Sequence, residues 1–205
     1  MSGRYVVFGG CLGSGKTTLA RLLAKRLGAE TVMEEVDGHP LIGDFYKDPA
    51  AYSLQTEMIF VVMHYHQIRL GVSAGKFEGA VVSDLFFDGD DAYAGAALQG
   101  EDLKALKGLT ADLRERLPRP DLVVFLQAPT RFLMRTSRLR GRDYEKAMTL
   151  EHLEKMNSAF DAFMEPYDAA PKVVVDAERM YELGHERATE ELAKLVKGAL
   201  SQLKS

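Results

Sequence analysis

The sequence predicts an α/β protein in which five parallel strands form one sheet with helices on both faces. Five short apolar runs are rich in β-branched residues and mostly lack polar alternation, a pattern typical of strands that are buried on both sides. Longer segments with helical spacing separate these runs, and this alternation favours a parallel sheet. The predicted strands are residues 5–8, 31–33, 80–82, 122–126 and 173–175.

Six helices are predicted around this sheet. Five of them cover residues 16–27, 49–70, 101–117, 130–140 and 149–165. A terminal helix carries Ala188, Leu192, Leu195, Ala199 and Leu203 at helical spacing. Glycine and proline occur singly between the predicted elements, as they do at turns inside one domain.

The second predicted helix has an unusual apolar pattern. Phe60, Val61, Val62 and Met63 place apolar groups on every side of it. A helix that is apolar all round must be buried all round. The sheet can cover only one side, so we expect a second subunit to cover the other, and the sequence predicts a homodimer.

Length and composition limit the class of protein. The chain has 205 residues, of which 46% are hydrophobic and 27% charged, and this suits a single domain over residues 1–205. No apolar run approaches the roughly 20 residues that span a bilayer, and no signal-peptide layout precedes the first strand, so we expect a cytoplasmic protein without a membrane partner. A net charge of -4 argues against a nucleic acid polymer as partner. The single cysteine, Cys11, excludes an internal disulfide and suits a reducing compartment.

A phosphate-binding loop follows the first predicted strand. Residues 10–17 read GCLGSGKT, a full match to G-x-x-x-x-G-K-[ST] between a strand and a helix. Glycines in such a loop let successive N–H groups point at one anion, and the helix adds its positive end. Lys16 is expected to reach the β- and γ-phosphates, and the Thr17 hydroxyl suits Mg²⁺. The predicted nucleotide-binding residues are Gly10, Gly13, Ser14, Gly15, Lys16, Thr17 and Thr18.

The phosphate loop predicts ATP or GTP binding but leaves the reaction open, since GTPases, motors and small-molecule kinases all use it. The sequence contains no Asn-Lys-x-Asp motif for reading guanine, and the chain is short for most motor ATPases. A small-molecule kinase that uses ATP and Mg²⁺ is therefore favoured.

Three further runs carry a family resemblance. They are residues 34–41 (EEVDGHPL), 44–49 (DFYKDP) and 140–145 (RGRDYE), and with the phosphate loop they resemble the deoxynucleoside kinases. This family includes deoxyadenosine, deoxyguanosine and deoxycytidine kinases, and the resemblance covers roughly residues 5–176. It implies a phosphate-loop kinase fold with an arginine-rich lid, and ATP-dependent phosphorylation of a deoxynucleoside 5′-hydroxyl. It also agrees with a dimer.

By this resemblance, Glu34 takes the proton from the 5′-hydroxyl. The position also makes physical sense, because a carboxylate at a parallel strand end beside the phosphate loop faces the ligand crevice. The family usually has proline at the next position, whereas this chain has Glu35. The two side chains diverge at a strand end, and the register of Val36 favours Glu34 as the one that faces the site. A solvated acidic pair is the alternative.

Three residues are expected to bind the rest of the substrate. The resemblance implies that Tyr46 and Glu145 meet the sugar 3′-hydroxyl from opposite sides. Gln55 lies beside the apolar stripe of the helix 49–70, so its amide is expected to face inward and pair with the nucleobase. A glutamine that is bonded to nearby backbone is the alternative.

Asp84 ends the third predicted strand, where the family places an acidic residue that orients Mg²⁺. The next residue departs from the pattern, because many members have an arginine that contacts the sugar and this chain has Leu85. The acidic stretch of Asp88, Asp90 and Asp91 lies where purine-preferring relatives use an aspartate. This stretch slightly favours a purine substrate.

Five arginines crowd together in a chain of negative net charge. They are Arg131, Arg135, Arg138, Arg140 and Arg142. Such a cluster is repulsive unless anions fill it, and the resemblance implies that it is the lid over ATP. Arg140 and Arg142 match the family's catalytic Arg-x-Arg pair, and Arg138 is a further candidate for ATP binding. A solvated helix face is the alternative.

His64 and His66 are two residues apart on a helix, so they point to different sides and cannot chelate one metal. No chemistry is predicted for either. Two rival functions stay open. One is a kinase of another small metabolite or of a nucleoside monophosphate, which would need an anion site near Gln55 and Tyr46. The other is a nucleotide-binding partner subunit without turnover, which the leucine at position 85 keeps open.

Overall fold

The fold is a parallel sheet of five strands with helices on both faces, as the sequence predicts. It is described for residues 3–72 and 79–203 in a computed structural model. The strands are β1 (Tyr5–Gly9), β2 (Glu30–Val32), β3 (Val81–Ser83), β4 (Leu122–Gln127) and β5 (Lys172–Asp176). Their order across the sheet is β2-β3-β1-β4-β5.

All six predicted helices are present, and two short helices are added. The helices of the described residues are α1 (Lys16–Leu27), α2 (Ile42–Lys47), α3 (Pro49–Gly71), α4 (Asp90–Ala97), α5 (Gly100–Arg114), α6 (Thr130–Arg140), α7 (Leu150–Met164) and α8 (Ala177–Gln202). Short 3₁₀ helices span Val36–Gly38, Phe87–Gly89 and Asp143–Ala147. Helices α2 and α4 have 6 and 8 residues, too few for an apolar period to show in the sequence.

Helix α8 begins well before the apolar spacing from which it is predicted. The Asp176 carboxylate caps it by accepting a 3.0 Å hydrogen bond from the main-chain N–H of Arg179. Gly184 then interrupts the helix with non-helical angles, φ 74° and ψ 166°. This kink changes the phase between the two halves of α8, so the apolar spacing covers only the second half.

Alternate residues of the central strand pack on opposite faces of the sheet. Val6 and Phe8 of β1 lie in a core layer with α1 and α8, while Tyr5 and Val7 lie in a layer with α3 and α5. All four side chains are buried. The strand is apolar without alternation because helices cover both of its faces.

The strand order opens a crevice beside β1. From β1 the chain runs through α1 to the edge strand β2, whereas from β3 it crosses to β4 on the other side of β1. The connections that follow the neighbouring strands β1 and β3 therefore leave in opposite directions, and open α/β sheets bind ligands at such a point. The phosphate loop, Glu34 and Asp84 all follow strand ends at this edge.

The outer face of α3 is apolar and uncovered in the single chain. Val61 and Ile68 are buried, whereas Val62 and Leu70 are 53% and 52% exposed. The single chain therefore covers only one side of α3, and the second subunit that is expected to cover the other side stays a prediction. No helix among residues 3–72 and 79–203 is long and apolar enough to cross a membrane.

Candidate active site

A cavity of about 1320 Å³ lies at the carboxyl ends of the strands. The phosphate loop lines one part of it, and residues from α2, α3 and α4 line another. One small ligand usually occupies roughly 300–1,000 Å³, so this cavity has room for two ligands side by side.

The phosphate loop has a backbone that glycine allows. Gly10, Gly13 and Gly15 have φ values of 140°, 81° and 88°. A Cβ atom on Gly10 would lie 2.6 Å from the Leu126 carbonyl oxygen, and one on Gly13 would collide with that of Leu133. The loop is therefore packed directly against neighbouring backbone, and its shape depends on these glycines.

One buried hydroxyl in the loop suits an anion. Ser14 is 3% exposed, and its Oγ has no hydrogen-bond partner within the described residues. A buried hydroxyl normally finds an acceptor, and a phosphate oxygen in the loop would supply one. Thr18 lines the same part of the cavity. The loop residues that the sequence analysis selects are therefore together around one cradle.

Lys16 and Thr17 begin α1 beside this cradle. The Lys16 Nζ donates hydrogen bonds to the carbonyl oxygens of Gly10, at 2.8 Å, and Cys11, at 3.3 Å. Burial lowers the pKa of Lys16, and the carboxylates of Glu34 and Asp84 partly counteract this. The ammonium group is thus held at the loop, where phosphate oxygens would bind.

Asp84 connects the phosphate loop to the second strand. Its Oδ2 accepts a 2.5 Å hydrogen bond from Thr17 Oγ1, and its Oδ1 accepts a 2.7 Å bond from the main-chain N–H of Glu34. Hydroxyl and carboxylate oxygens are ligands that Mg²⁺ prefers, with phosphate and water completing its shell. This pair of neighbouring oxygens fits the predicted magnesium site.

Glu34 lines the cavity, and its side chain is 27% exposed. Its Oε1 lies 3.2 Å from the Nε2 atom of His64. Burial favours the neutral acid, but His64 and the nearby Lys16 outweigh it and hold the pKa of Glu34 below its ordinary value. Glu35 also borders the cavity but is exposed. Glu34 is therefore the carboxylate that the surrounding residues fix in place.

His64 is a site residue that the sequence analysis missed, and it contacts Asp90 of the acidic stretch. His64 is buried, and its Nδ1 lies 3.0 Å from both carboxylate oxygens of Asp90. Both residues line the cavity. One signal is present in the sequence: Glu57 and His64 are seven residues apart on one helix, with only apolar residues between them, and so share a face.

The prediction that Gln55 faces inward is wrong. Gln55 is exposed and does not line the cavity, whereas Thr56 and Glu57 on the same turn of α3 are buried. Glu57 lines the cavity, and its carboxyl has no hydrogen bond to another described residue. Burial and the neighbouring Asp90 raise the pKa of Glu57 to about 8. Glu57 thus occupies the inward position that was expected for Gln55.

The lid arginines meet an acidic partner. Arg140 donates a hydrogen bond from Nη2 to Oε1 of Glu145, and Nη1 of Arg142 lies 3.7 Å from the same oxygen. Ser137 Oγ donates a 2.5 Å bond to the other oxygen, Oε2. Arg140, Arg142 and Glu145 all line the cavity. Arg138 is exposed and does not line it, so the structure does not bring this residue to the site.

Tyr46 lies at the cavity, and Leu85 belongs to the apolar core. Tyr46 lines the cavity and stacks on Tyr144 with ring centroids 5.9 Å apart. Burial raises the pKa of Tyr46, so its hydroxyl stays protonated. Leu85 is 1% exposed and packs in the apolar core.

The family of this chain is shown by its sequence. A sequence model of the deoxynucleoside kinases matches residues 6–201 of the chain. The chain belongs to the deoxynucleoside kinase family. This match confirms the resemblance and makes the protein an enzyme of the deoxynucleoside kinase type.

Individual relatives agree with the family and the fold. A deoxyguanosine kinase of Bacillus subtilis (strain 168) is 27% identical over 173 residues, 83% of this chain and 84% of that protein. A thymidylate kinase of Xanthomonas euvesicatoria pv. vesicatoria (strain 85-10) is 31% identical over 187 residues, 85% of this chain and 76% of the other. The structure of deoxyadenosine kinase from M. mycoides with bound dCTP superposes with a TM-score of 0.80, covering 95% of this chain and 99% of that chain at 21% identity. The predicted fold is confirmed.

Replacing Glu57 by glutamine should change how stability depends on pH. The ordinary carboxyl pKa is 4.5, and in the folded protein it is raised to about 8. The stabilising contribution of a group with a raised folded pKa is complete below pH 4.5 and is lost as the pH rises through 8. Relative to Glu57→Gln, the wild-type free energy of unfolding should fall across this window by up to about 1.4 kcal/mol per pH unit.

Urea unfolding at several pH values within this window measures the difference. Glu35→Gln is the matched control, because it removes an exposed carboxyl at the border of the same cavity. Parallel stability curves for wild type and Glu57→Gln would show that Glu57 is not kept neutral by burial.

Proposed function

We propose that this protein transfers the γ-phosphoryl group of ATP to the 5′-hydroxyl of a deoxynucleoside and so forms the 5′-monophosphate. Family membership supports this type of reaction, and the cavity has room for a nucleotide beside an acceptor. The phosphate loop supplies the donor site. The charge on the part of the cavity wall around His64 carries the choice of acceptor.

Three carboxyl groups line that wall, with His64 between two of them. They belong to Glu34, Glu57 and Asp90. Glu57 is neutral at pH 7 and the His64 cation offsets one of the other two carboxylates, so this wall keeps about one net negative charge. That charge repels the roughly two negative charges of a monophosphate acceptor, and strongly so where water is scarce. A neutral nucleoside avoids the repulsion. The wall therefore favours a nucleoside over a nucleoside monophosphate, the alternative that the similarity to a thymidylate kinase raises.

Glu34 is the proposed base of the reaction. As the acceptor oxygen bonds to the γ-phosphorus, Glu34 takes the hydroxyl proton and the bond from phosphorus to the β,γ-bridging oxygen breaks. Lys16, Arg140 and Arg142 are proposed to stabilise the negative charge on the transferred group. Catalysis rests mostly on placement and electrostatics.

Thr17 and Asp84 are proposed to hold Mg²⁺ through the oxygens that lie 2.5 Å apart. The ion would supply positive charge that offsets the negative charge of the nucleotide phosphates. The same Asp84 also holds the main chain at Glu34, so the metal ligand and the base keep a fixed separation.

Tyr46 and Glu145 are proposed to bind the sugar 3′-hydroxyl, since both line the cavity near the lid. Glu57, in place of Gln55, is proposed to meet the nucleobase. With a pKa of about 8, the Glu57 carboxyl is neutral at pH 7 and offers one donor and one acceptor side by side. This pair is complementary to the amino group and a ring nitrogen of adenine.

A purine deoxynucleoside is the proposed substrate. Asp90, one of three aspartates that suggested a purine, lines the cavity. The other two, Asp88 and Asp91, form ion pairs with Arg114 instead, at 2.5 and 2.8 Å. Within the acidic stretch, only Asp90 therefore supports a purine substrate. Glu57 on α3 supports the same choice.

The proposal includes a homodimer in the cytoplasm. The exposed apolar side chains of Val62 and Leu70 on α3 give a second subunit a face to cover. Cys11 is a buried free thiol, which suits a reducing compartment.

Glu34→Gln tests the reaction and the register together. Wild type with Mg·ATP and deoxyadenosine or deoxyguanosine should form the 5′-monophosphate, identified by mass spectrometry. Glu34→Gln keeps the size of the side chain but removes its basic oxygen, so kcat should fall by about 100-fold or more while substrate binding changes by a few fold.

Glu35→Gln is the matched control and should have a mild effect, because Glu35 is exposed. If the two substitutions exchange effects, Glu35 is the base. If wild type phosphorylates no deoxynucleoside, the proposed function is wrong.

The homodimer is tested by sedimentation at micromolar concentration, where wild type should sediment as two chains. Val62→Glu places a charge on the uncovered face of α3 and should shift the equilibrium towards the single chain. A wild-type protein that sediments only as a single chain would reject the dimer.

A further inference from the structure

His64 lies between two carboxylates deep in the cavity wall. It belongs to α3 and is 8% exposed. Its Nε2 atom is 3.2 Å from Oε1 of Glu34, and its Nδ1 atom is 3.0 Å from both carboxylate oxygens of Asp90. The ring also packs against Phe60, with ring centroids 5.5 Å apart. The imidazole therefore has one orientation, fixed from both ends.

The protons of this arrangement can be counted. Ionised carboxylates only accept hydrogen bonds, so each ring nitrogen that faces one must carry a proton. Burial raises the pKa of Asp90, and the contact with His64 opposes this shift. With both carboxylates ionised, the two contacts make His64 an imidazolium cation between two anions. Burial opposes this charge, but Asp90 and Glu34 outweigh burial and raise the pKa of His64 to about 10. The hydrogen-bond geometry and the two neighbouring carboxylates both make His64 a cation at neutral pH.

Glu34 is consequently held at two places. Its main-chain N–H donates to Asp84, and its Oε1 faces His64. Its other oxygen, Oε2, has no hydrogen bond to any of the described residues, and the side chain borders the cavity. One oxygen of the carboxylate is thus used for anchoring and the second is available to an acceptor hydroxyl.

No other described residue forms an ion pair with the Glu34 carboxylate. Leu85, directly after Asp84, is buried in the apolar core and has no donor in its side chain. The nearby Lys16 is bonded to carbonyl oxygens of the phosphate loop. The cation that touches the Glu34 carboxylate therefore comes from α3.

We propose that His64 is a positioning residue for the base Glu34: it binds Oε1, is itself held by Asp90, and thereby directs Oε2 at the acceptor hydroxyl. The inference rests on the proposed function. During transfer the hydroxyl proton moves to Glu34, and His64 keeps both of its own protons. His64 therefore acts through Glu34 and has no contact with the reacting atoms.

Two substitutions of His64 separate this role from a purely structural one. The amide of His64→Gln reaches the place of Nε2 and can still donate to Glu34, while the amide of His64→Asn reaches the place of Nδ1 and can donate only to Asp90. We expect kcat to fall by about tenfold or more in His64→Asn and by less than about threefold in His64→Gln, with the KM for Mg·ATP unchanged. A histidine that merely joins α3 to α4 through Asp90 predicts the reverse order.

A double-mutant cycle tests whether His64 acts through Glu34. In the Glu34→Gln background, His64→Asn should lower kcat by less than about threefold further. Multiplicative losses in the double variant would overturn the proposal. His66→Gln is the control on the same helix, because His66 is exposed, and its kinetics should match wild type.

A ¹⁵N NMR spectrum of the histidine rings tests the contact between His64 and Glu34 without measuring activity. At pH 7 both nitrogens of His64 should be protonated, and the Nε2 resonance should shift in Glu34→Gln but not in Glu35→Gln. A singly protonated ring would overturn the proposal, and so would an Nε2 resonance that does not shift in Glu34→Gln. Neither result depends on whether the His64 variants fold. A wild-type protein without kinase activity would refute the proposed function and the positioning role with it, and the spectrum would still establish or reject the contact.

Discussion

The buried carboxylate of Asp84 is the interaction on which the rest of the site depends. It lies at the end of β3, is 3% exposed, and accepts hydrogen bonds from the Thr17 hydroxyl and from the main-chain N–H of Glu34. Three segments that are far apart in the chain therefore meet at one side chain: the start of α1, the end of β2 and the end of β3. A buried carboxylate is stable only with such partners, so the packing of these segments and the geometry of the site require each other.

Positive and negative side chains line different parts of the cavity. Lys16, Arg140 and Arg142 contribute positive charge to the cavity lining, whereas Glu57 and Asp90 belong to the wall formed by α3 and α4. The first part attracts a polyanion and the second disfavours one. His64 partly neutralises the acidic wall while leaving Glu57 without an ionic partner in the described residues. One continuous cavity can therefore bind a charged nucleotide in one part and a neutral acceptor in the other.

The parts of this protein that could be predicted from sequence are those encoded locally. The strands show as apolar runs because both faces of the sheet are covered, and the phosphate loop is a contiguous motif. The inward-facing side of α3 cannot be read from the sequence in the same way, because apolar residues surround this helix. The sequence predicts that Gln55 faces inward, whereas Thr56 and Glu57 are the buried residues. His64 and Asp90 are 26 positions apart in the chain, so their contact could not be predicted from the spacing of residues within one helix.

The neutrality of the acceptor is the central claim, and a competition between two acceptors tests it most directly. The protein is incubated with Mg·ATP and equal concentrations of deoxyadenosine and its 5′-monophosphate, and initial products are identified by mass spectrometry. The account predicts that the nucleoside is phosphorylated with a kcat/KM about 100-fold or more above that of the monophosphate, because the acidic wall repels the charged acceptor. Formation of the diphosphate with the nucleoside left unused would contradict it.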